Sequence, residues 1–497
     1  MTMPVPANMG DLSACKTATG QSAMVACGNP LAALAAQRML EVGGSAIDAA
    51  IAADAVMGVV EPMATSIGGD LLAMVCSPQG EVVSYNGTGR APLALTSSRI
   101  ADLPDGRIPE RHALSVTTPG AVRGWSDLHL RFGRLPWASL FAPAIEHAGQ
   151  GFPVAQVAAR EWKLFDHVLH QDSHCAALYL AGNPPSAGQI FRNPELAAVL
   201  EAIADHGPDA FYRGWIAQAA SQAVCAHDGV LGVRDFEQHL GHFCEPVIAT
   251  FHGYKIHQCP PNTHGVAILH ALANIEAFGG QPQAHDTWGN LVSATAQAMK
   301  YASKTVRDPS GNTVCSVIVD RQGLAVTLMS SIFKRFGSAI AVPGAGFVLQ
   351  NRGFGFSSLG HINGPAPGKR PYHTVVPGIT TRDGHFYLGM GVVGGLMQPQ
   401  GQIQILTRHL AWKQDIQEAI NAPRVRLEAK DTLAIEQGTH EDLIHYLRSS
   451  GYPEPSLGVG DLAGRSDFGG AHAIVRHSCG QLQGVADPRK DGIALAC

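Results

Sequence analysis

Apolar residues recur at helical spacing from 31 to 41, and Gly43-Gly44 ends the run as a helix stop. Ser45, with Asp48 three residues on, forms an acidic variant of the capping box and predicts a second helix from 46 to 60. That stretch has almost no polar face, so it belongs between layers and not at a surface. Residues 71–76 and 81–85 read as paired strands, as do 313–320 with 324–330. Further helices are predicted over 194–204, 215–226 and 441–448, the last capped by Thr439. The chain shows no internal repeat and no low-complexity segment.

Composition sharpens this pattern into a large, compact protein. Charged residues are 15% of the 497 and apolar residues 45%, so core material is plentiful and solvated tail scarce. A formal charge of −5 without a basic block argues against nucleic acid as a partner. No dinucleotide or P-loop spacing appears, so no nucleotide cofactor is expected. The first twenty residues lack a basic segment followed by an apolar one, so no secretory signal is read. The most apolar stretch, 46–60, is interrupted by Asp48 and Asp54 and is too short to cross a membrane, so no membrane association is expected. Ten cysteines without a CxxC pair fit reduced thiols, which places the protein in the cytoplasm, or in the periplasm if a signal has been removed.

The candidate chemistry lies where the polar turn 308–312 passes into the β-branched run 313–320. A cut of the Asn312–Thr313 bond would make Thr313 a chain terminus, with a hydroxyl to attack and its own α-amine to take the proton. Such an amine titrates near pH 7.7–8.0, close to the best value for a base at neutral pH. A threonine that merely opens a strand is the plain structural alternative. Cys315 and Ser316 stand as rival nucleophiles. The stretch His239, His242, Cys244, His252, His257 and Cys259 invites a zinc reading, but its spacings form no recognisable finger, and no metal is expected.

Ordered motifs run along the whole chain. Early ones are Pro30-Leu31-Ala32, Gly43 to Ala50, Val60-Glu61-Pro62, Ser66 to Asp70 and Asn86 to Pro92. Thr118-Pro119-Gly120, Gly133 to Trp137 and Gly151 to Val154 occupy the middle. Phe336-Gly337-Ser338, Gly368 to Pro371, Gly394-Gly395, Ala422-Pro423-Arg424 and Ala486 to Gly492 follow Thr313. In this order and spacing the chain resembles the γ-glutamyltranspeptidase family of N-terminal-nucleophile hydrolases. The resemblance implies an α+β fold, a four-layer αββα sandwich. It implies a large subunit 1–312 and a small subunit 313–497 held as a heterodimer or a pair of heterodimers. It also implies an autoprocessed amidohydrolase or acyltransferase that works without a cofactor on a small-molecule amide.

The resemblance carries roles onto particular residues. Thr313 matches the nucleophile, Ser331 a hydroxyl that supports it, and Gly394-Gly395 the loop whose amides stabilise the oxyanion. Adjacent glycines suit that task, because they can turn two N–H groups towards one point. The substrate positions depart from the family. The carboxylate-reading arginine is replaced by Thr88, with Arg90 two residues on; its asparagine aligns with Phe333, its aspartate with Gly355, and its paired serines with His373-Thr374. Hydrogen-bonding sites reject ligands that leave them unpaired, so γ-glutamyl specificity should be lost while the reaction class is kept. The strings around Arg90, Arg352 and His373 resemble instead the amidohydrolase branch that includes oxamate amidohydrolase and the cephalosporin acylases. Arg90, Lys334, Arg335, Arg352 and His373 are then candidates to hold an anionic acyl group, alongside Thr88, Phe333, Gly355 and Thr374 as pocket positions. Only 303–312 separate the preceding helix from the scissile bond, a shorter tether than relatives carry. The alternatives are a true γ-glutamyltransferase or glutathione hydrolase with a rearranged pocket, and an unprocessed, silent homologue that acts as a binding protein.

Overall fold

The computed structural model describes residues 17–278, 285–305, 312–428, 432–439, 441–450, 456–457 and 468–497. The turn expected at 308–311 lies outside these described residues. Fourteen strands build two seven-stranded sheets. In chain order they are β1 (Thr17–Gly20), β2 (Met24–Cys27), β3 (Asp70–Cys76), β4 (Val82–Asn86), β5 (His242–Cys244), β6 (Val247–Phe251) and β7 (Tyr254–Gln258). The others are β8 (Asn312–Val319), β9 (Ala325–Phe333), β10 (Gly378–Arg382), β11 (His385–Val393), β12 (Gly470–Arg476), β13 (Leu482–Ala486) and β14 (Ile493–Ala496). One sheet runs β1-β13-β12-β11-β10-β7-β6, the other β14-β2-β8-β9-β3-β4-β5, and every neighbouring pair is antiparallel.

Alternation along β8 shows how the layers stack. Val314 and Ile318 pack on the helix side, with α1 (Pro30–Glu41) and α2 (Ala46–Val60). Cys315, Val317 and Val319 point the other way, into the seam between the sheets. Beyond the second sheet lie α3 (Gly265–Phe278), α4 (His285–Thr305) and α5 (Met397–Leu406), packed on Ile256, Leu388, Met390 and Ala473. The result is the four-layer αββα sandwich implied by the resemblance. Both sheets draw strands from each side of Asn312–Thr313, so the two proposed subunits interleave throughout the core.

The capping box at α2 forms as read: Asp48 N–H donates to Ser45 Oγ at 3.1 Å, and Ser45 N–H to Asp48 Oδ2 at 2.8 Å. The same carboxylate oxygen accepts the amides of Arg134 and Leu135 at 2.9 and 3.2 Å, which accounts for the Gly133–Trp137 motif. All fifteen α2 residues are buried, and each large apolar side chain so placed contributes about 1.5–3 kcal/mol. The helix predicted at 441–448 spans Glu441–Ser449. The cap expected at Thr439 turns on residue 440, which lies outside the described residues; the Thr439 hydroxyl donates to Glu436 O at 2.8 Å and closes the preceding turn.

Candidate active site

Thr313 enters at the first turn of the β8 ladder, and the ladder is irregular there. Asn312 pairs with Phe333 and Val314 with Ser330, so Ser331 and Ile332 together oppose Thr313. Such a bulge re-aims a side chain at a strand end. Thr313 is 3% exposed, and its Oγ1 accepts a hydrogen bond from Gln398 Nε2 at 2.8 Å. Ser331 lies on the adjacent strand, where its Oγ accepts the Phe333 amide at 2.8 Å. Of the rivals, Cys315 is buried in the seam, where desolvation pushes its thiol well up. Ser316 faces the helices, 3.2 Å from Cys27 Sγ.

Gln398 stands in the first turn of α5, directly after the glycine pair. Gly394 and Gly395 take φ values of 113° and 59°, a region that favours glycine. Their carbonyls accept the amides of Met397 and Gln398, each at 3.0 Å, while their own N–H groups make no hydrogen bond among the described residues. A Cβ on Gly394 would sit 2.9 Å from Gly469 Cα. Close approach of the sheets is set by Gly391, where a Cβ would meet Cys315 Sγ at 2.6 Å and Met329 Sδ at 2.7 Å.

His373 and Arg352, the latter with Phe333 against it, gather around Asp70, which pairs with Ser331 across β3 and β9. Asp70 Oδ1 accepts Gly89 N–H and Gln350 Nε2, both at 2.8 Å, and Oδ2 accepts Arg352 Nε at 3.2 Å. His373 Nε2 lies 3.3 Å from the same Oδ2, an electrostatic contact off the angle of a hydrogen bond. Its Nδ1 accepts the Val375 amide, so Nε2 carries the ring proton. Burial works against the Asp70 charge, but His373, Arg352 and Gln350 hold its carboxyl below the ordinary value. Burial and the Arg352 charge push His373 down to about 4. Arg352 is wholly buried, its guanidinium 4.4 Å from the centre of the Phe333 ring, and neither Nη1 nor Nη2 has a hydrogen-bond partner among the described residues.

The remaining expected site residues are placed differently. Arg90 is exposed and donates to Gly368 O at 3.0 Å. Thr88 is buried, with Asn262 Nδ2 3.4 Å from its hydroxyl. Gly355 and Thr374 are buried too, and the Phe333 ring tip lies 3.9 Å from where a Gly355 Cβ would stand. Lys334 and Arg335 already face acids: Nζ lies 3.5 Å from Glu110 Oε2, and Nη2 lies 2.9 Å from Glu161 Oε1. On the β2 side of Thr313 a narrow cleft is lined by Glu61, Glu161, His472, Lys490 and Asp491. Burial, then the Asp491 and Glu161 charges, push Glu61 up to about 8. Among the described residues no three His, Cys, Asp or Glu side chains converge as metal ligands, and no helix is long and apolar enough to cross a membrane.

Sequence reasoning missed Gln398, Asp70 and Glu61. A signal for the first was present: Gln398, Gln400, Gln402 and Gln404 alternate with apolar residues, glycine and proline just after the glycine pair. All four are buried, and buried amides have to find partners.

The family model described as gamma-glutamyltranspeptidase matches residues 32–314 and 294–497. The chain is 31% identical to the glutathione hydrolase-like YwrD proenzyme of Bacillus subtilis, covering 97% of this chain and 99% of that one. It is also 31% identical to the oxamate amidohydrolase proenzyme of Klebsiella pneumoniae, covering 93% and 96%. The crystal structure of cephalosporin acylase from Bacillus halodurans superposes with a TM-score of 0.92 at 30% identity, covering 100% and 99%.

Proposed function

The chain belongs to the gamma-glutamyltranspeptidase family, and on that premise we propose that it is an amidohydrolase with Thr313 as nucleophile. It cuts its own Asn312–Thr313 bond and then releases a small anionic acyl group through an acyl-enzyme. The observation that carries this reading is the Thr313 hydroxyl at a bulged strand end, held by Gln398 from the turn that also leaves the Gly394 and Gly395 amides undonated.

After cleavage the Thr313 amine takes the hydroxyl proton as Oγ1 attacks the amide carbon, and it passes that proton to the departing amine. The Gly394 and Gly395 amides receive the oxyanion. Water then adds to the ester, again losing its proton to the amine, and the acid leaves. Interleaved strands keep the fragments 1–312 and 313–497 together as a heterodimer. A buried arginine with two donors to spare suits a carboxylate on the acyl group, whereas Lys334 and Arg335 already have Glu110 and Glu161. Gly355 offers no acid for an α-amino group, and the Tyr372 carbonyl oxygen lies 2.9 Å from where its Cβ would stand. The nine described cysteines are free thiols, in keeping with the cytoplasm.

The test compares turnover of glutaryl-p-nitroanilide, oxamate and γ-glutamyl-p-nitroanilide by the processed protein. The reading expects the anionic amides without an α-amino group to be preferred. Efficient, stereospecific γ-glutamyl turnover would restore the transpeptidase, and no turnover with one uncut chain would leave the silent homologue.

A further inference from the structure

Helix α5 carries its four buried glutamines on two opposite sides, and each side bonds a different stretch of backbone. Gln400 and Gln404, one turn apart, bond the backbone of 425–427: Gln400 meets Leu427 N–H and C=O at 2.7 and 3.1 Å, and Gln404 meets Val425 N–H and C=O at 3.0 and 2.7 Å. Each amide on that side thus closes one strand residue, oxygen to N–H and nitrogen to C=O, and its nitrogen also reaches back along the helix, from Gln400 to Leu396 O and from Gln404 to Gln400 O, both at 3.1 Å. The other side divides one residue, Val376, between its two glutamines. Gln402 donates to Val376 C=O and accepts from Gln258 Nε2 at 3.0 Å, and Gln398 accepts the Val376 N–H at 3.3 Å. Val376 C=O is taken by Gln402, so the Gln398 amide nitrogen is turned to Thr313 Oγ1.

This arrangement fixes which atom faces the nucleophile. Only the amide oxygen can meet the Val376 N–H, so the group at 2.8 Å from Thr313 Oγ1 is an N–H donor and nothing else. The threonine proton therefore points away from Gln398. A donor on Oγ1 is not useful for attack, because it draws on the lone pairs that form the new bond. It is useful whenever Oγ1 leaves carbon and takes up negative charge, since hydrogen bonds to charged acceptors are the stronger ones.

We propose that Gln398 is a catalytic hydrogen-bond donor that assists Thr313 Oγ1 as a leaving group, so that it speeds breakdown of the ester at Thr313 rather than its formation. The inference rests on the reading of Thr313 as nucleophile. In self-cleavage Oγ1 bonds to the Asn312 carbonyl carbon and the C–N bond breaks, the nitrogen keeping the hydroxyl proton as part of the new amine. Water then bonds to the same carbon, the Oγ1–C bond breaks, and Oγ1 takes a proton while Asn312 leaves as a carboxylate. Gln398 acts at that second break. In substrate turnover it acts at the corresponding step, release of the acyl group to water.

The experiment follows self-cleavage of the full chain, which needs no substrate. Wild type, Gln398→Glu and Gln398→Met are purified as precursor and timed with and without hydroxylamine, which splits an ester at Asn312 to a hydroxamate. Gln398→Glu keeps an acceptor for the Val376 N–H, and Gln398→Met removes donor and acceptor together. The proposal expects the ester to decay on the order of tenfold more slowly in both, the weight of one ordinary hydrogen bond. Chains should therefore accumulate that hydroxylamine cuts to a 1–312 hydroxamate, while the wild type yields the free acid. Cleavage at the wild-type rate, or a stall without a hydroxylamine-labile ester, would overturn it. Failure of the Thr313 reading looks different: Thr313→Ala would still be cut, or the wild-type fragment would start elsewhere.

Discussion

Arg489 and Arg352 are both fully buried, and each lies against a buried aspartate. Around Arg489 every donor is used: Nε and Nη2 go to Glu436 at 2.8 and 2.6 Å, Nη1 to Asp487 at 3.0 Å, and the Ile420 and Ala422 carbonyls take the rest. Arg424 joins the same Asp487 at 2.6 Å, so the motifs Ala422-Pro423-Arg424 and Ala486 to Gly492 meet as one ion network. Arg352 spends only Nε on Asp70 and keeps both Nη groups without a hydrogen-bond partner among the described residues. A guanidinium that closes all its donors holds a fold together, whereas the two open donors of buried Arg352 suit an incoming anion under the proposed reading.

That contrast breaks most clearly by substitution. Arg489→Met leaves Glu436 and Asp487 buried with one cation between them, and should cost about 3–5 kcal/mol in urea unfolding. Arg352→Met leaves Asp70 with Gln350, Gly89 and His373, so its expected cost is smaller, about 1–3 kcal/mol. Its kcat/KM on glutaryl-p-nitroanilide should nevertheless fall at least tenfold. A larger stability loss at Arg352 than at Arg489, with turnover kept, would reverse the assignment.

Open donors on the backbone behave alike. Gly394→Val adds a Cβ at a φ of 113°, against Gly469. It should lower kcat by about 10²–10³, the usual weight of one oxyanion donor, with the processed fragments still formed. Retention of a tenth of the wild-type rate would remove the glycine pair from the chemistry.

Titration gives a smaller effect and separates the regions by sign. Despite burial, the Arg424 and Arg489 charges hold the Asp487 carboxyl far below its ordinary value. Its contribution is therefore present above the unfolded pKa near 3.9 and is lost as pH falls towards the folded value. Glu61 is shifted the other way, to about 8. It stays protonated in the fold where the unfolded chain is ionised, so its contribution is full below about pH 4.3 and is lost as pH rises through 8. Glu61→Gln should thus stabilise the protein by roughly 1 kcal/mol at pH 9 and hardly at pH 4, measured as urea midpoints. Equal effects at both pH values would contradict the shift. The least effect is expected at the surface: Arg90→Ala should change kcat/KM on the same probe less than about twofold, since the side chain is exposed.

Much of this was legible in the chain. The Ser45–Asp48 box, the apolar α2 and the β8–β9 pair follow from local pattern, because each writes its partner within a few residues. The likelihood of a buried helix at 46–60 needed no tertiary knowledge. The ranking of Lys334, Arg335 and Arg352 could not be read, since their acids Glu110, Glu161 and Asp70 are distant in sequence and settle which cation is spent. Gln398 was invisible for a related reason: a glutamine near a helix start looks solvated until the sheet it faces is known.

Intact mass and N-terminal sequencing of the purified wild type beside Thr313→Ala decide whether Thr313 is the processed nucleophile. Two wild-type fragments are expected, 1–312 and 313–497, the second starting Thr-Val-Cys-Ser, with Thr313→Ala remaining one chain. A wild type that stays whole, or a small fragment that starts at any other residue, would contradict it.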